Sequence, residues 1–298
     1  MTPALTTDDL GKRYGRRWAL RGCTLSIPSG GVVGLVGANG AGKTTLLHLA
    51  VGLLEPSEGT ISVLGERPGA GTAQLARVGF LAQDAPVYPT LTVAEHLRLG
   101  ERMNPGWDRE LAAGRIDRLG LDQRQRTGRL SGGQRSQLAL TLAMAKRPEL
   151  LALDEPVSSL DPLARREFLQ DLMSVVAEHG PTVLLSSHLL SDVERVCDHL
   201  IVLAGGRVRL DGPVEDLLAT HKVLTGPRRD LGSLPREQTP IRVSHTDRQT
   251  TVLVRTRQPI LDPRWVVSDL GLEDLVLAYM SASADGSNDT AAIAAVPA

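Results

Sequence analysis

Cysteine, net charge and long apolar runs are all scarce in this chain of 298 residues, and each scarcity removes a class of protein. The two cysteines, Cys23 and Cys197, have no cysteine neighbours in sequence. That spacing holds no metal and argues against a disulfide framework, so both are read as reduced thiols of an intracellular protein. The 33 Lys and Arg residues balance 34 Asp and Glu, so no net field draws the chain to nucleic acid or to an acidic membrane. No apolar run approaches the ~20 residues that span a bilayer. Leu46 to Leu54 comes nearest, and it contains His48. The stretch Met1 to Asp9 lacks the basic and apolar regions of a signal peptide, so no cleaved leader is expected. If the protein works on a membrane, another chain does the spanning. The length accommodates one large domain and a smaller one.

What the chain does have is Gly37-Ala38-Asn39-Gly40-Ala41-Gly42-Lys43-Thr44-Thr45, set between the apolar run Val32 to Val36 and the helix-compatible Leu46 to Ala50. Strand, loop and helix is the context that a G-x-x-x-x-G-K-[ST] phosphate loop requires. Glycines let the backbone turn tightly and offer several N–H groups to one anion, with a helix N-terminus behind them. The pattern is expected by chance about 0.01 times in a chain this long, so a turn that binds nothing is set aside. The expected ligand is a nucleoside triphosphate, bound by Gly37, Asn39, Gly40, Gly42, Lys43, Thr44 and Thr45. Lys43 would reach the β- and γ-phosphates, and the Thr44 hydroxyl would hold Mg²⁺.

Around that loop the order of elements is that of an α/β domain. Leu5 to Leu10 and Trp18 to Ile27 are expected as two antiparallel strands, with Gly11 to Arg17 as a basic loop. Tyr14 in that loop is read either as a stacking surface for a base or as a packing residue. Val78 to Ala82 is a buried-strand candidate, and Gln83 just beyond it is either a metal or γ-phosphate contact or a solvated loop residue. Thr92 to Leu119 turns helical, broken at Asn104-Pro105-Gly106, and is expected as a helical insertion. Leu130-Ser131-Gly132-Gly133-Gln134 follows, with Ser131 as an N-cap for the apolar series Leu138, Leu140, Leu142 and Met144. Its glycines offer a second set of open N–H groups to an anion.

Leu150 to Leu153 ends in Asp154 and Glu155, a buried strand with carboxylates at its C-terminal end. Beside a phosphate loop, Asp154 is expected to hold Mg²⁺ and Glu155 to orient or activate the attacking water. Ser158 to Asp161 is a polar turn before a helix from about Leu163 to His179, started by Pro162. Pro181 to Ser187 is a further strand. His188 at its end either contacts the γ-phosphate or a water, or is a solvated or capping residue.

Taken together, Leu5 to Leu218 resembles the nucleotide-binding subunits of ATP-binding-cassette transporters. The resemblance rests on the phosphate loop, the glutamine loop at Gln83, the LSGGQ signature at 130–134, Asp154-Glu155, the aspartate loop Ser158 to Asp161, and the switch histidine His188. Tyr14 stands at the place of the family's base-stacking aromatic. The resemblance implies a phosphate-loop nucleotidase core with a mixed, largely parallel sheet, a small N-terminal antiparallel part, a helical insertion and a small α+β C-terminal extension. It implies Glu155, His188 and Gln83 as catalytic residues, and Thr44, Gln83 and Asp154 as holders of Mg²⁺. Tyr14, the phosphate loop, Ser131, Gly132, Gly133, Gln134 and Asp161 are implied contacts of ATP. Two cassettes would pack head to tail, each ATP lying between the phosphate loop of one and the signature of the other. The segment Asp84 to Pro89 and the helical insertion would touch a separate membrane permease, placing the protein in the cytoplasm, on the inner face of the membrane. No nucleic-acid partner is expected.

The expected domains are a nucleotide-binding domain over 1–220, with a helical subdomain over about 84–147, and an accessory region over 221–280. The accessory region contains linker stretches at Thr225 to Gly232 and Pro235 to Pro240, then a hairpin from Ile241 to Arg255, a strand at Trp265 to Val267 and a helix from Gly271 to Met280. That closing helix resembles the G-L-E-D-x-[FV]-L end of subunits from multidrug and antibiotic-resistance exporters. Residues 281–298, rich in Ala, Ser, Gly and Asp, are expected as a disordered tail. The reading is an ATP-hydrolysing motor subunit of an exporter. Its alternatives are a soluble cassette ATPase acting on ribosomes or DNA, a non-hydrolysing ATP-gated regulatory module, and an importer motor.

Overall fold

The computed structural model describes residues 3–158, 160–228 and 237–281. Ser159, residues 229–236, which include parts of both expected linker stretches, and the expected tail from residue 282 onward lie outside the described residues. Ser281, expected as the first residue of that tail, ends a helix instead.

Along the chain, β1 (Leu5–Tyr14) and β2 (Arg17–Ile27) form a hairpin. The strand β3 (Val32–Val36) leads through the phosphate loop into α1 (Lys43–Ala50), and β4 (Glu58–Val63) returns to pair with β1. The first strand therefore takes in most of the basic stretch expected as a loop, leaving Gly15 and Arg16 as the turn. The physical reason is pairing on both edges of β1, together with irregularities between Thr7 and Leu10 and between Leu10 and Arg13. Bulges of this kind break the alternation by which a strand is recognised in sequence.

Next come α2 (Thr72–Ala76), β5 (Val78–Leu81) and the helical insertion, formed by α3 (Val93–Met103), α4 (Arg109–Arg118) and α5 (Gly132–Ala145). The insertion has a small core of its own around Val93, Ile116, Leu121, Leu130 and Leu138. The apolar series of α5 is not a single stripe. Its every-second-residue spacing points Leu138 into that small core and Leu140 and Met144 into the main one. A helix buried on several sides reads this way.

The chain continues through β6 (Leu150–Asp154), α6 (Pro162–His179), β7 (Thr182–Ser187), α7 (Leu190–Val196), β8 (His199–Ala204), β9 (Arg207–Pro213) and α8 (Val214–Ala219). The central sheet has the order β5-β6-β7-β3-β8-β9, parallel except for β9. Its middle strands are continuous apolar runs because both faces are covered. One face packs on α5, α6 and α7, and the other on α1 and the N-terminal sheet. The pairs Leu81↔Leu153, Asp154↔Ser186 and Val36↔Ser187 bring the C-terminal ends of β5, β6, β7 and β3 to one edge. Ligands bind at such an edge in open α/β sheets.

The remaining strands are β10 (His221–Pro227), β11 (Thr239–His245), β12 (Gln249–Arg255) and β13 (Val266–Ser268), in the order β11-β12-β10-β13. The final helix, α9 (Leu272–Ser281), buries Leu272, Leu275, Val276 and Ala278 in the same core as Leu153 and Leu185 of the central sheet. His221, fully buried, fastens this helix. Its Nδ1–H donates to the Leu217 carbonyl at 2.6 Å, so Nε2 is left to accept from the Tyr279 hydroxyl at 2.9 Å. Burial lowers the His221 pKa and pushes the Tyr279 hydroxyl up to about 12. A histidine held neutral contributes stability above its unfolded pKa of about 6.5, and that stability is lost as pH falls toward the depressed folded value. Thermal unfolding is thus expected to shift down on mild acidification, and a His221→Gln chain is expected to shift less.

Candidate functional site

The residues between β3 and α1 can take their path only as glycines at two places. Gly42 has φ +108°, and a Cβ there would lie 2.6 Å from the Ala19 carbonyl oxygen. A Cβ on Gly37 would lie 2.4 Å from the Leu203 carbonyl oxygen. Both approaches are shorter than any side chain tolerates. The first turn of α1 then has no side-chain cap and no acidic residue, so its N–H groups and its positive end stay open to an anion. Asn39, Gly40 and Thr44 are exposed there and Thr45 is half-buried.

Lys43 is 5% exposed and extends back along the loop. Its Nζ donates to the Gly37 carbonyl at 2.8 Å and lies 3.2 Å from Glu155 Oε1. The other oxygen of Glu155 accepts from His188 Nδ1–H at 2.8 Å, which leaves Nε2 for a further partner. Glu155 stands just past β6 with φ +45°, a conformation that non-glycine residues avoid. Such strain needs an external hold. Ser186 on β7 supplies it, its Oγ accepting from the Glu155 backbone N–H at 2.8 Å and donating to Asp154 Oδ1 at 2.7 Å. Lys43, Asp154, Glu155 and His188 thus meet at the strand ends, four residues from three separate segments.

Ser186 was not among the residues picked out from the sequence. The signal was present as a serine inside a buried strand that ends in His188, since a buried hydroxyl requires a partner. Ser186→Ala would leave the Glu155 N–H and an Asp154 oxygen unmet. A loss of about 1–3 kcal/mol in stability is expected from thermal or denaturant unfolding. Turnover is expected to fall about tenfold as Glu155 loses its hold, measured as phosphate release.

Tyr14 ends β1, and its ring is 51% exposed with Lys12 Nζ 5.6 Å from the centroid. It pairs with Arg17, whose Nη2 would lie 3.9 Å from a Cβ on Gly40, so the hairpin end borders the phosphate loop. Gln83 is exposed in the turn after β5, at the same sheet edge.

The signature forms a different cluster. Ser131 caps α5 as expected, its Oγ accepting from the Gln134 N–H at 3.1 Å while the Gln134 side chain accepts from the Ser131 N–H at 2.9 Å. This reciprocal box leaves the Ser131 hydroxyl proton and the Gly132 and Gly133 N–H groups available. A Cβ on Gly133 would lie 3.5 Å from Ala164 and 3.8 Å from Leu160, so signature and aspartate loop are neighbours. Asp161 caps α6, accepting from the Leu163 and Ala164 N–H groups at 3.0 Å each. Among the described residues, no hydrogen bond or ion pair joins Ser131, Gly132, Gly133, Gln134 or Asp161 to the phosphate loop of the same chain.

Among the described residues, no group of three or more His, Cys, Asp or Glu is arranged to hold a metal. The available donors are the Thr44 hydroxyl, the Asp154 carboxylate and the Gln83 amide. Hard oxygen donors with a single carboxylate fit Mg²⁺, which is commonly completed by water and substrate phosphates.

The chain is similar to known proteins over most of its length. The family model described as ABC transporter matches residues 20–158. The chain is 35% identical over 228 residues to the Nod factor export ATP-binding protein I of Ralstonia nicotianae, covering 74% of this chain and 70% of that protein. It is 39% identical over 209 residues to the aliphatic sulfonates import ATP-binding protein SsuB of Pseudomonas entomophila, covering 70% and 75%. A solved structure of an ATP-binding subunit of an ABC transporter superposes with a TM-score of 0.65 at 31% identity, covering 72% of this chain and 91% of that one.

Proposed function

Since the chain belongs to the ABC transporter family as an ATP-hydrolysing, ATP-binding subunit, we propose that it is the motor of an exporter. The observation that carries the hydrolytic part is the Lys43–Glu155–His188 constellation at the end of the phosphate-loop sheet. The phosphate loop, from Gly37 through Asn39, Gly40 and Gly42 to Thr45, cradles the phosphates, with Lys43 on the β- and γ-oxygens. Tyr14 stacks on the base. Thr44, Asp154 and Gln83 would hold Mg²⁺, which would supply positive charge against the phosphate oxygens. Glu155 accepts the proton of the attacking water, and His188 holds Glu155 in place while its Nε2 meets the γ-phosphate. An incoming γ-phosphate competes with Glu155 Oε1 for Lys43, so ATP itself releases the carboxylate toward the water.

In this reading residues 1–220 are the nucleotide-binding domain, with a helical subdomain over about 84–147, and 221–280 are an accessory region. A second copy or a related subunit supplies Ser131, Gly132, Gly133, Gln134 and Asp161 to each ATP. The separation of these residues from the phosphate loop within one chain supports that arrangement. The subunit works at the inner face of the membrane on a separately encoded permease, and among the described residues no helix is long and apolar enough to cross a membrane. The coupling surface is Asp84 to Pro89 with the helical insertion. That segment is tied to the insertion by Tyr88, whose N–H donates to His96 Nε2 at 3.0 Å and whose carbonyl accepts from Thr127 at 2.8 Å. Loop and insertion therefore move together when the dimer closes.

Ser131→Arg is expected to abolish turnover while the ATP affinity of the single chain stays near normal, because the arginine obstructs the partner's nucleotide. Its lost helix cap costs only about 1 kcal/mol. Equilibrium nucleotide binding beside phosphate release measures both. Export is supported by the Gly271 to Met280 ending and by the export relative, and import by the sulfonate relative. Capture of the tagged chain from native membranes separates the readings. An integral membrane protein without a solute-binding protein is expected. A co-purifying solute-binding protein would overturn export, and ribosomal or DNA partners alone would overturn the transporter role.

A further inference from the structure

Among the described residues, four buried side-chain nitrogen or oxygen atoms lack a hydrogen-bond partner, and two of the four face each other. These are Nε of Arg165, in the first turn of α6, and Oδ2 of Asp192, in the first turn of α7, at 3.8 Å. That distance is too long for a hydrogen bond, and a shift of about 1 Å would make one. Arg165 follows Asp161 of the aspartate loop by four residues. Arg165 Nη2 donates to the Leu160 carbonyl at 3.3 Å, and Leu160 packs toward Gly133 of the signature. Asp192, 4% exposed, follows His188 by four residues. Its N–H donates to the Leu189 carbonyl at 3.2 Å, and the Leu189 N–H donates to Ser187 Oγ at 3.0 Å. The switch segment is thus a hydrogen-bonded turn that ends on Asp192. Burial raises the Asp192 pKa, opposed by Arg165, Arg195 and His188.

We propose that Arg165 and Asp192 form a latch, open in this structure, whose closure transmits the position of the aspartate loop to His188. They are positioning residues for ATP hydrolysis, an inference that rests on the hydrolytic reading of Glu155 and His188. A second chain docking on the signature presses on Leu160, draws Arg165 against Asp192, and so holds His188 in the contact it already makes with Glu155. Neither residue belongs to the phosphate loop or to the Lys43–Glu155–His188 cluster. The latch therefore acts on the rate of the chemical step and leaves ATP affinity alone.

The test is steady-state ATP turnover of the full chain carrying Asp192→Asn, Arg165→Met, both together, and Asp192→Glu. Each of the first two is expected to lower kcat about tenfold, since a misplaced catalytic group has effects of that order or more. KM for ATP is expected to stay within about twofold, and the double variant to be no worse than the poorer single one. Asp192→Glu, whose longer side chain spans the gap, is expected to retain nearly full kcat. Normal kcat in Asp192→Asn, or losses that simply multiply in the double variant, would overturn the latch. Glu155→Gln measured alongside distinguishes the failures. If it also turns over normally the hydrolytic reading has fallen, and if it does not only the latch has.

Discussion

Glu155→Gln is expected to bind ATP at least as tightly as the parent chain and to hydrolyse it about 10²–10⁴-fold more slowly, the range for losing a positioned general base. The substitution keeps size and shape. The amide oxygen can still accept from His188, and the backbone N–H stays on Ser186. What disappears is the ability to take a proton and the negative charge beside Lys43. The second loss favours nucleotide, because the γ-phosphate no longer displaces a carboxylate from the ammonium group. Rate and affinity therefore move in opposite directions, a signature that general unfolding cannot imitate. Single-turnover hydrolysis and a binding titration read the two quantities separately, and near-normal turnover would remove Glu155 from the mechanism.

Lys43→Ala is expected to fail one step earlier. A hydrogen bond to a charged group contributes about 1.5–3 kcal/mol, so loss of the Lys43 contact with the phosphates weakens ATP binding roughly 10- to 150-fold. Turnover falls further, because charge building on the transferring group loses its nearest cation. Lys43 also bonds the Gly37 carbonyl and pairs with Glu155, and removing it costs the folded chain about 1–3 kcal/mol. A modest drop in melting temperature should therefore accompany the change. ATP should raise the melting temperature of the parent chain and leave that of Lys43→Ala nearly unmoved. A variant with normal affinity would take the phosphates away from this loop.

The parts of this site that are legible in the sequence are those whose chemistry is local. Gly37 to Thr45 declares itself because strand, turn and helix are contiguous. Ser131 is recognised as a cap because it stands directly before a helical series, and its partner Gln134 is only three residues away. What is not legible depends on register between distant segments. Ser186 acquires its role only when β7 lies beside β6, and Arg165 meets Asp192 only when α6 and α7 pack. Both outer ends of the expected linker stretches are strand, Thr225 to Pro227 pairing in β10 and Thr239 and Pro240 in β11, and two further misread elements have related causes. The end of β1 is hidden by bulges and by a second pairing partner, and the α5 series looks like a stripe although the helix serves two cores. Nothing in Leu272 to Tyr279 announces that this helix shares the main core, because an amphipathic pattern shows that a face is buried and not against what.

One chain alone keeps Ser131 to Gln134 apart from its own Lys43, so ATP is expected to be held between two chains. The most direct test is the mass of the Glu155→Gln chain by light scattering, with and without ATP and Mg²⁺, beside the same chain carrying Ser131→Arg. Twice the chain mass is expected for Glu155→Gln with ATP, and the single-chain mass for the double variant with ATP still bound. A Glu155→Gln chain that binds ATP and stays at the single-chain mass would contradict that arrangement.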